Sequence, residues 1–220
     1  MNLTETLWWY LENILEYFFQ MLPCMGVALV LFLLLRPRRQ RRLREKGLVS
    51  GPAREGALLF FVLFCAGLTA LTLFPAYFWT PGYWRDVRAG VRPVFPPFDF
   101  RIQLQTVQTE PFREIIRAFK GPWVMFLMLG NIGIFVPVGF FSALLWRKWR
   151  WWKSLLVGFC ASVTIEFIQF FIGRSTDIDD VILNTVGALA GFWIFWLLRA
   201  IFPSFIKRFQ CTPRGGYYHG

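Results

Sequence analysis

With 220 residues, 56% of them hydrophobic and 20% aromatic, the chain lies outside the composition of a soluble domain, and its formal charge of +11 is gathered in clusters. Those values exclude an ordinary water-soluble enzyme or carrier, and the grouping of the charges argues against nucleic acid as the partner that basicity would otherwise suggest. The apolar residues fall in blocks of about 20, the length of one helix across a ~30 Å hydrocarbon core.

In chain order, the first sixteen residues are acidic and aromatic (Glu5, Trp8, Trp9, Tyr10, Glu12, Glu16) and lack a basic n-region, so the first helix is expected to be retained rather than cleaved. Trp8, Trp9 and Tyr10 suit the headgroup layer, and the block 16–35 reads as the first span, with Pro23 as a site for a kink. Residues 36–56 form a basic linker with Arg36, Arg38, Arg39, Arg41, Arg42, Arg44, Lys46 and Arg54; its Gly and Pro punctuation predicts partial disorder. Further spans are expected at 57–78, 122–146, 154–172 and 181–202. A second basic group, Arg147, Lys148, Arg150 and Lys153, separates spans three and four, and Arg199, Lys207, Arg208 and Arg214 end the chain. By the positive-inside rule all three basic regions are cytoplasmic. The chain thus reads as an all-α integral membrane protein, a single membrane domain over 1–220. It has about five transmembrane helices, N-terminus outside, C-terminus cytoplasmic and a cytoplasmic tail at 203–220.

The segment 79–121 is the one sizeable extracytoplasmic loop, longer than a plain connection needs. Phe98, Phe100, Ile102 and Leu104 alternate with Asp99, Arg101, Gln103 and Gln105, which predicts a half-buried strand or an extended surface segment. After it, Thr109 is placed to N-cap a short interfacial helix. Its apolar face would be Phe112, Ile115, Ile116 and Phe119, with Arg113, Glu114, Arg117 and Lys120 facing water. The helix serves either as an anchor for the loop or as a lid. Cys24, Cys65 and Cys160 lie in spans and Cys211 in the tail, with no C-x-x-C pair, so no disulfide frame, metal or cofactor is expected; His219 sits in a polar terminus.

Ionisable groups inside spans are costly and point to function. At 100° per residue, Gly158, Ser162, Glu166, Gln169 and Gly173 share one stripe of span four. On span five Asp177, Asp180, Asn184, Gly187 and Gly191 share another, with Asp179 turned away. Lipid cannot satisfy such groups, so both stripes face other helices. Residues 173–176 are a turn short enough to make the two spans antiparallel neighbours. Arg174 is then the expected countercharge to Asp177 or Asp180, and Asn131 of span three lies at matching depth, backed by Gly133, Pro137 and Gly139. A hard cation on Asp177, Asp179 and Asp180 is disfavoured because one of the three points away.

The pattern Asn131-Ile-Gly133-Ile-Phe-Val-Pro137-Val-Gly139, then Glu166-Phe-Ile-Gln169, then Arg174-x-x-Asp177-x-x-Asp180-x-x-x-Asn184-x-x-Gly187-x-x-x-Gly191 resembles the VanZ-like family, with a family-like core over about 57–202. The resemblance implies a small multi-pass protein of the bacterial cell membrane. The family's namesake is associated with low-level resistance to the glycopeptide antibiotic teicoplanin. The motif positions it carries over, Asn131, Glu166, Gln169, Arg174, Asp177, Asp180 and Asn184, are those already chosen on physical grounds.

Three functions compete. One is a binding protein whose outward-facing polar pocket engages a lipid headgroup, a cell-wall precursor or a lipoglycopeptide. The second is a membrane-embedded enzyme acting on a lipid or lipid-linked envelope substrate, with Glu166 as general acid or base and Arg174 stabilising an anionic group. Ser162 and Ser175 have no partnered His, so covalent catalysis is unsupported. A transporter fits the mid-depth polar groups but not five spans without internal repeat symmetry.

Overall fold

The computed structural model describes residues 3–75, 77–119 and 121–213. Lys120, Arg214 and His219 lie outside the described residues, as do the side chains of Trp9, Tyr10, Glu114 and Ile115. The architecture is mostly helical. Its elements are α1 (Leu3–Glu45), β1 (Leu48–Val49), α2 (Pro52–Leu73), α3 (Pro81–Arg88), α4 (Phe100–Thr106), β2 (Val107–Gln108) and α5 (Arg113–Ala118). There follow α6 (Pro122–Leu145), α7 (Trp151–Phe171), β3 (Thr176–Asp177), α8 (Ile178–Ile201), α9 (Pro203–Lys207) and β4 (Thr212–Pro213).

Among these, α1, α2, α6, α7 and α8 each contain a stretch long and apolar enough to cross a membrane. At 1.5 Å per residue the 24 residues of α8 reach about 36 Å, enough for the hydrocarbon layer. The outward faces of the spans are apolar: Leu34 is 67% exposed, and Phe167, Trp193 and Leu197 are exposed as well. Lipid is the medium that makes this favourable.

α6 and α8 form the centre of the bundle, with α7 against α8. Their approach is so close that an added Cβ at Gly139, Gly187 or Gly191 would run into the backbone carbonyl of Ala188, Ile132 or Val136, and one at Gly158 into the Ala188 methyl. Glycine lets two helix backbones touch, the dispersion-rich packing that lipid-embedded helices depend on. Around this seam Leu68, Phe135 and Val138 bring in α2, while Ala143, Leu144, Phe192, Phe195 and Ile206 fill the opposite end.

α1 packs along α2 and stays continuous through Pro23 and Pro37 as far as Glu45, so most of the basic linker is helix rather than irregular chain. Contacts to α2 hold it there. Arg39 stacks on Phe32 and donates to Glu55 Oε2 at 2.5 Å, while Ser50 donates to Glu55 Oε1 at 2.6 Å. Beyond the turn at Gly47, β1 pairs antiparallel with β4, Leu48 opposite Pro213. The tail thereby returns to the end of the bundle that carries the arginines, the basic end.

At the other end, the loop end, the long connection is structured. Thr80 caps α3 by accepting from Tyr83 N, and the Tyr83 hydroxyl donates to Val94 O at 2.6 Å within a cluster of Phe74, Phe78, Trp84 and Phe95. The alternating segment is the helix α4, not a strand or extended segment: Asp99 accepts from Arg101 N and Ile102 N and starts it, which outweighs period-two patterning. Phe98 and Phe100 lie on the rings of Phe170 and Phe171 at the end of α7. The next helix, α5, begins at Arg113 behind Phe112, whose φ of 68° is left-handed, so Thr109 is not its cap.

Candidate functional site

The polar residues gather where α7 turns into α8. Glu166 is 5% exposed, five residues before the end of α7, and its Oε2 accepts from Asp177 N at 3.0 Å across the turn. Asp177 is the N-cap of α8 with extended backbone (φ −129°), and its Oδ1 accepts from Asp179 N at 2.8 Å. Asp179, wholly buried, accepts in turn from Phe112 N at 2.5 Å. Three carboxylate-to-amide bonds therefore run in series from α7 through the cap of α8 to the loop, each of the charge-assisted kind. Helical spacing alone turns Asp179 away from the cluster. The structure instead buries it within the network, and the sequence signal for that position is an Asp at the N-cap followed by two more in the first turn, where the amides are unsatisfied.

On the neighbouring side, Asn131 of α6 donates through Nδ2 to Asp180 Oδ1. Ser162 donates to Asp180 O at 3.5 Å and accepts from Asn184 Nδ2 at 2.8 Å. Asn184 is 7% exposed, and its Oδ1 has no donor among the described residues. One network thus joins α6, α7 and α8, and the three aspartates within 177–180 each hold a different partner.

Gln169 and Arg174 face elsewhere. Gln169 Nε2 donates to Thr72 O at 3.0 Å and Arg174 Nη1 to the same oxygen at 2.9 Å, with Leu71 O at 3.4 Å. The guanidinium satisfies the carbonyls left open at the C-terminal end of α2 rather than pairing with Asp177 or Asp180. Sequence gave no sign of this, because the acceptors are backbone oxygens about a hundred positions away. A second residue that went unselected is Gln103 of α4, buried and donating through Nε2 to Arg174 O. Together with the parallel pairing of β2 and β3, Val107 opposite Thr176 and Gln108 opposite Asp177, it pins the loop to the α7–α8 turn.

The result is a graded site. Ser162, Glu166, Asp179 and Asn184 are buried, Asn131, Gln169, Asp177 and Asp180 half-buried, and Arg174 exposed at the rim. Charged groups of both signs and amides reach the surface within one turn of chain, backed by hydrogen bonds that fix their directions.

No curated protein and no solved structure matches this chain. The family model for VanZ/LLP1 matches residues 61–199, which takes in α6, α7, all but the last two residues of α8, the loop and the seven positions Asn131, Glu166, Gln169, Arg174, Asp177, Asp180 and Asn184. That match spans well over half of the sequence, and with the five apolar helices it shows a multi-pass membrane protein that belongs to the VanZ/LLP1 family.

Proposed function

We propose that this VanZ-family protein resides in the bacterial cell membrane and contributes to low-level glycopeptide resistance of the teicoplanin type. Its polar cluster, facing the extracytoplasmic side, engages a lipid headgroup, a cell-wall precursor or a lipoglycopeptide. The observation that carries the reading is the set of polar residues at the α7–α8 turn that reach the surface, Arg174, Asp177 and Asp180, together with the buried acceptor Asn184 Oδ1, which has no donor among the described residues. A mixed-charge mouth lined with amides suits a ligand that is itself zwitterionic or rich in amides, and the fixed directions of the side chains reduce the cost of ordering on binding. The enzymatic alternative, with Glu166 as general acid or base, ranks second because Oε2 is already engaged by Asp177 N and the carboxylate is buried.

The test is teicoplanin tolerance of cells expressing the protein, read together with mass spectrometry of the envelope components that copurify. Wild type should raise tolerance and retain one component; Arg174→Ala and Asp180→Ala should lose both at normal abundance in the membrane. Unchanged tolerance and copurification in both variants would remove the binding reading. Glu166→Gln separates the two functions: its amide oxygen still accepts from Asp177 N, so binding persists, whereas an acid/base role is abolished by the same substitution.

A further inference from the structure

The basic end holds a second arrangement, independent of the polar cluster. The α6–α7 connection, the last turn of α8 and the short helix α9 enclose a groove of about 530 Å³ lined by Arg147, Lys148, Arg199 and Lys207, with Gln210 beside them and no carboxylate among the described residues of its walls. Among the described residues none of these four cations makes an ion pair. Four like charges around one groove repel one another, and a bound anionic group offsets that repulsion. Arg199 also sits at the carbonyl end of α8, which favours a cation there and helps to hold the charge in place.

Beside this groove runs a second one of about 350 Å³, wholly apolar, walled by Phe60, Phe140, Phe141, Leu198, Phe205 and Phe209. Ile206 of α9 lines both. A charged recess and an apolar furrow that meet at one residue, at the end of membrane-spanning helices, match the two halves of a single amphiphile.

We propose that this end of the protein binds one anionic glycerophospholipid, its phosphate among Arg147, Lys148, Arg199 and Lys207 and an acyl chain along the furrow between α2, α6 and α9. The site differs from general attraction of basic loops to anionic membranes in having a fixed stoichiometry and a chain-binding half. Phosphate is the chemistry shared by the lipid headgroup and the free ion, and the furrow is what discriminates between them.

The experiment uses the full chain, delipidated in neutral detergent and titrated with phosphatidylglycerol, phosphatidylcholine or glycerol 3-phosphate, with bound lipid counted by native mass spectrometry. The expected result is one phosphatidylglycerol retained in preference to phosphatidylcholine. Removing each groove charge should weaken it about fivefold, so Arg199→Gln with Lys207→Gln weakens it about twenty-five-fold, whereas Arg38→Gln with Arg42→Gln on α1 leaves it unchanged. Ala57 of α2 also lines the furrow, and Ala57→Phe, which narrows it without touching a charge, should weaken the lipid and spare glycerol 3-phosphate; circular dichroism and monodisperse elution check the fold of each variant. Equal retention of the two lipids, equal losses in the two charge-removed proteins, or displacement of the lipid by equimolar glycerol 3-phosphate would overturn the proposal.

Discussion

At the residue scale the most informative side chain is Asp179. It is buried, it is capped through its own amide by Asp177, and it holds the amide of Phe112, a residue in left-handed backbone geometry. A bulky residue with positive φ persists only where its surroundings over-determine it, and the bond from Asp179 is part of that determination. Asp179→Ala should free the Phe112 amide and speed hydrogen exchange over residues 107–118 by about tenfold or more, the loss expected for one hydrogen bond to a charged group. Exchange unchanged from wild type would mean that the pairing of β2 with β3 and the Gln103 contact fix the loop without Asp179. The polar positions themselves were legible in the sequence, since a carboxylate or amide in an apolar run has few explanations. Their partners were less so. Asp177 was assigned to a helical face although it is the cap outside the helix, and a rotation of 100° per residue has no meaning before the first turn. The partners of Arg174 are carbonyl oxygens of α2, which every residue carries and which no motif can advertise.

At the element scale the seam between α6 and α8 decides stability. Gly187 and Gly191 face carbonyls of α6, whereas Gly130 and Gly133 on α6 have nothing within 4 Å of an added Cβ. Substituting Ala at Gly187 or Gly191 should therefore lower stability, by an amount on the order of 1–3 kcal/mol for an overpacked contact, and the thermal midpoint with it. Ala at Gly130 or Gly133 should be neutral or raise it through helix propensity, by up to about 1 kcal/mol. Equal effects at the four positions, measured by thermal unfolding in detergent, would remove the seam from this account. The spans were readable because twenty apolar residues in series have one stable form in lipid. The amphipathic pattern at 98–105 misled because alternation does not specify a strand when Asp99 supplies a cap and the aromatic side chains find the rings of α7.

At the scale of the whole molecule, charge distribution predicts that the basic end lies in the cytoplasm and the loop end outside. A phosphatase reporter inserted after Gly47 should be inactive and one inserted at Val91 active, because such reporters fold only outside the cytoplasm; the reverse pattern would invert the orientation. β4 follows the last span, whereas its partner β1 follows the first. During synthesis the chain from α2 through α9 is therefore made before Leu48 and Val49 can meet Thr212 and Pro213. That pairing forms late in biogenesis: a chain stopped short of Thr212 would carry all five apolar spans and the whole polar cluster, yet leave the connection between α1 and α2 without its strand partner.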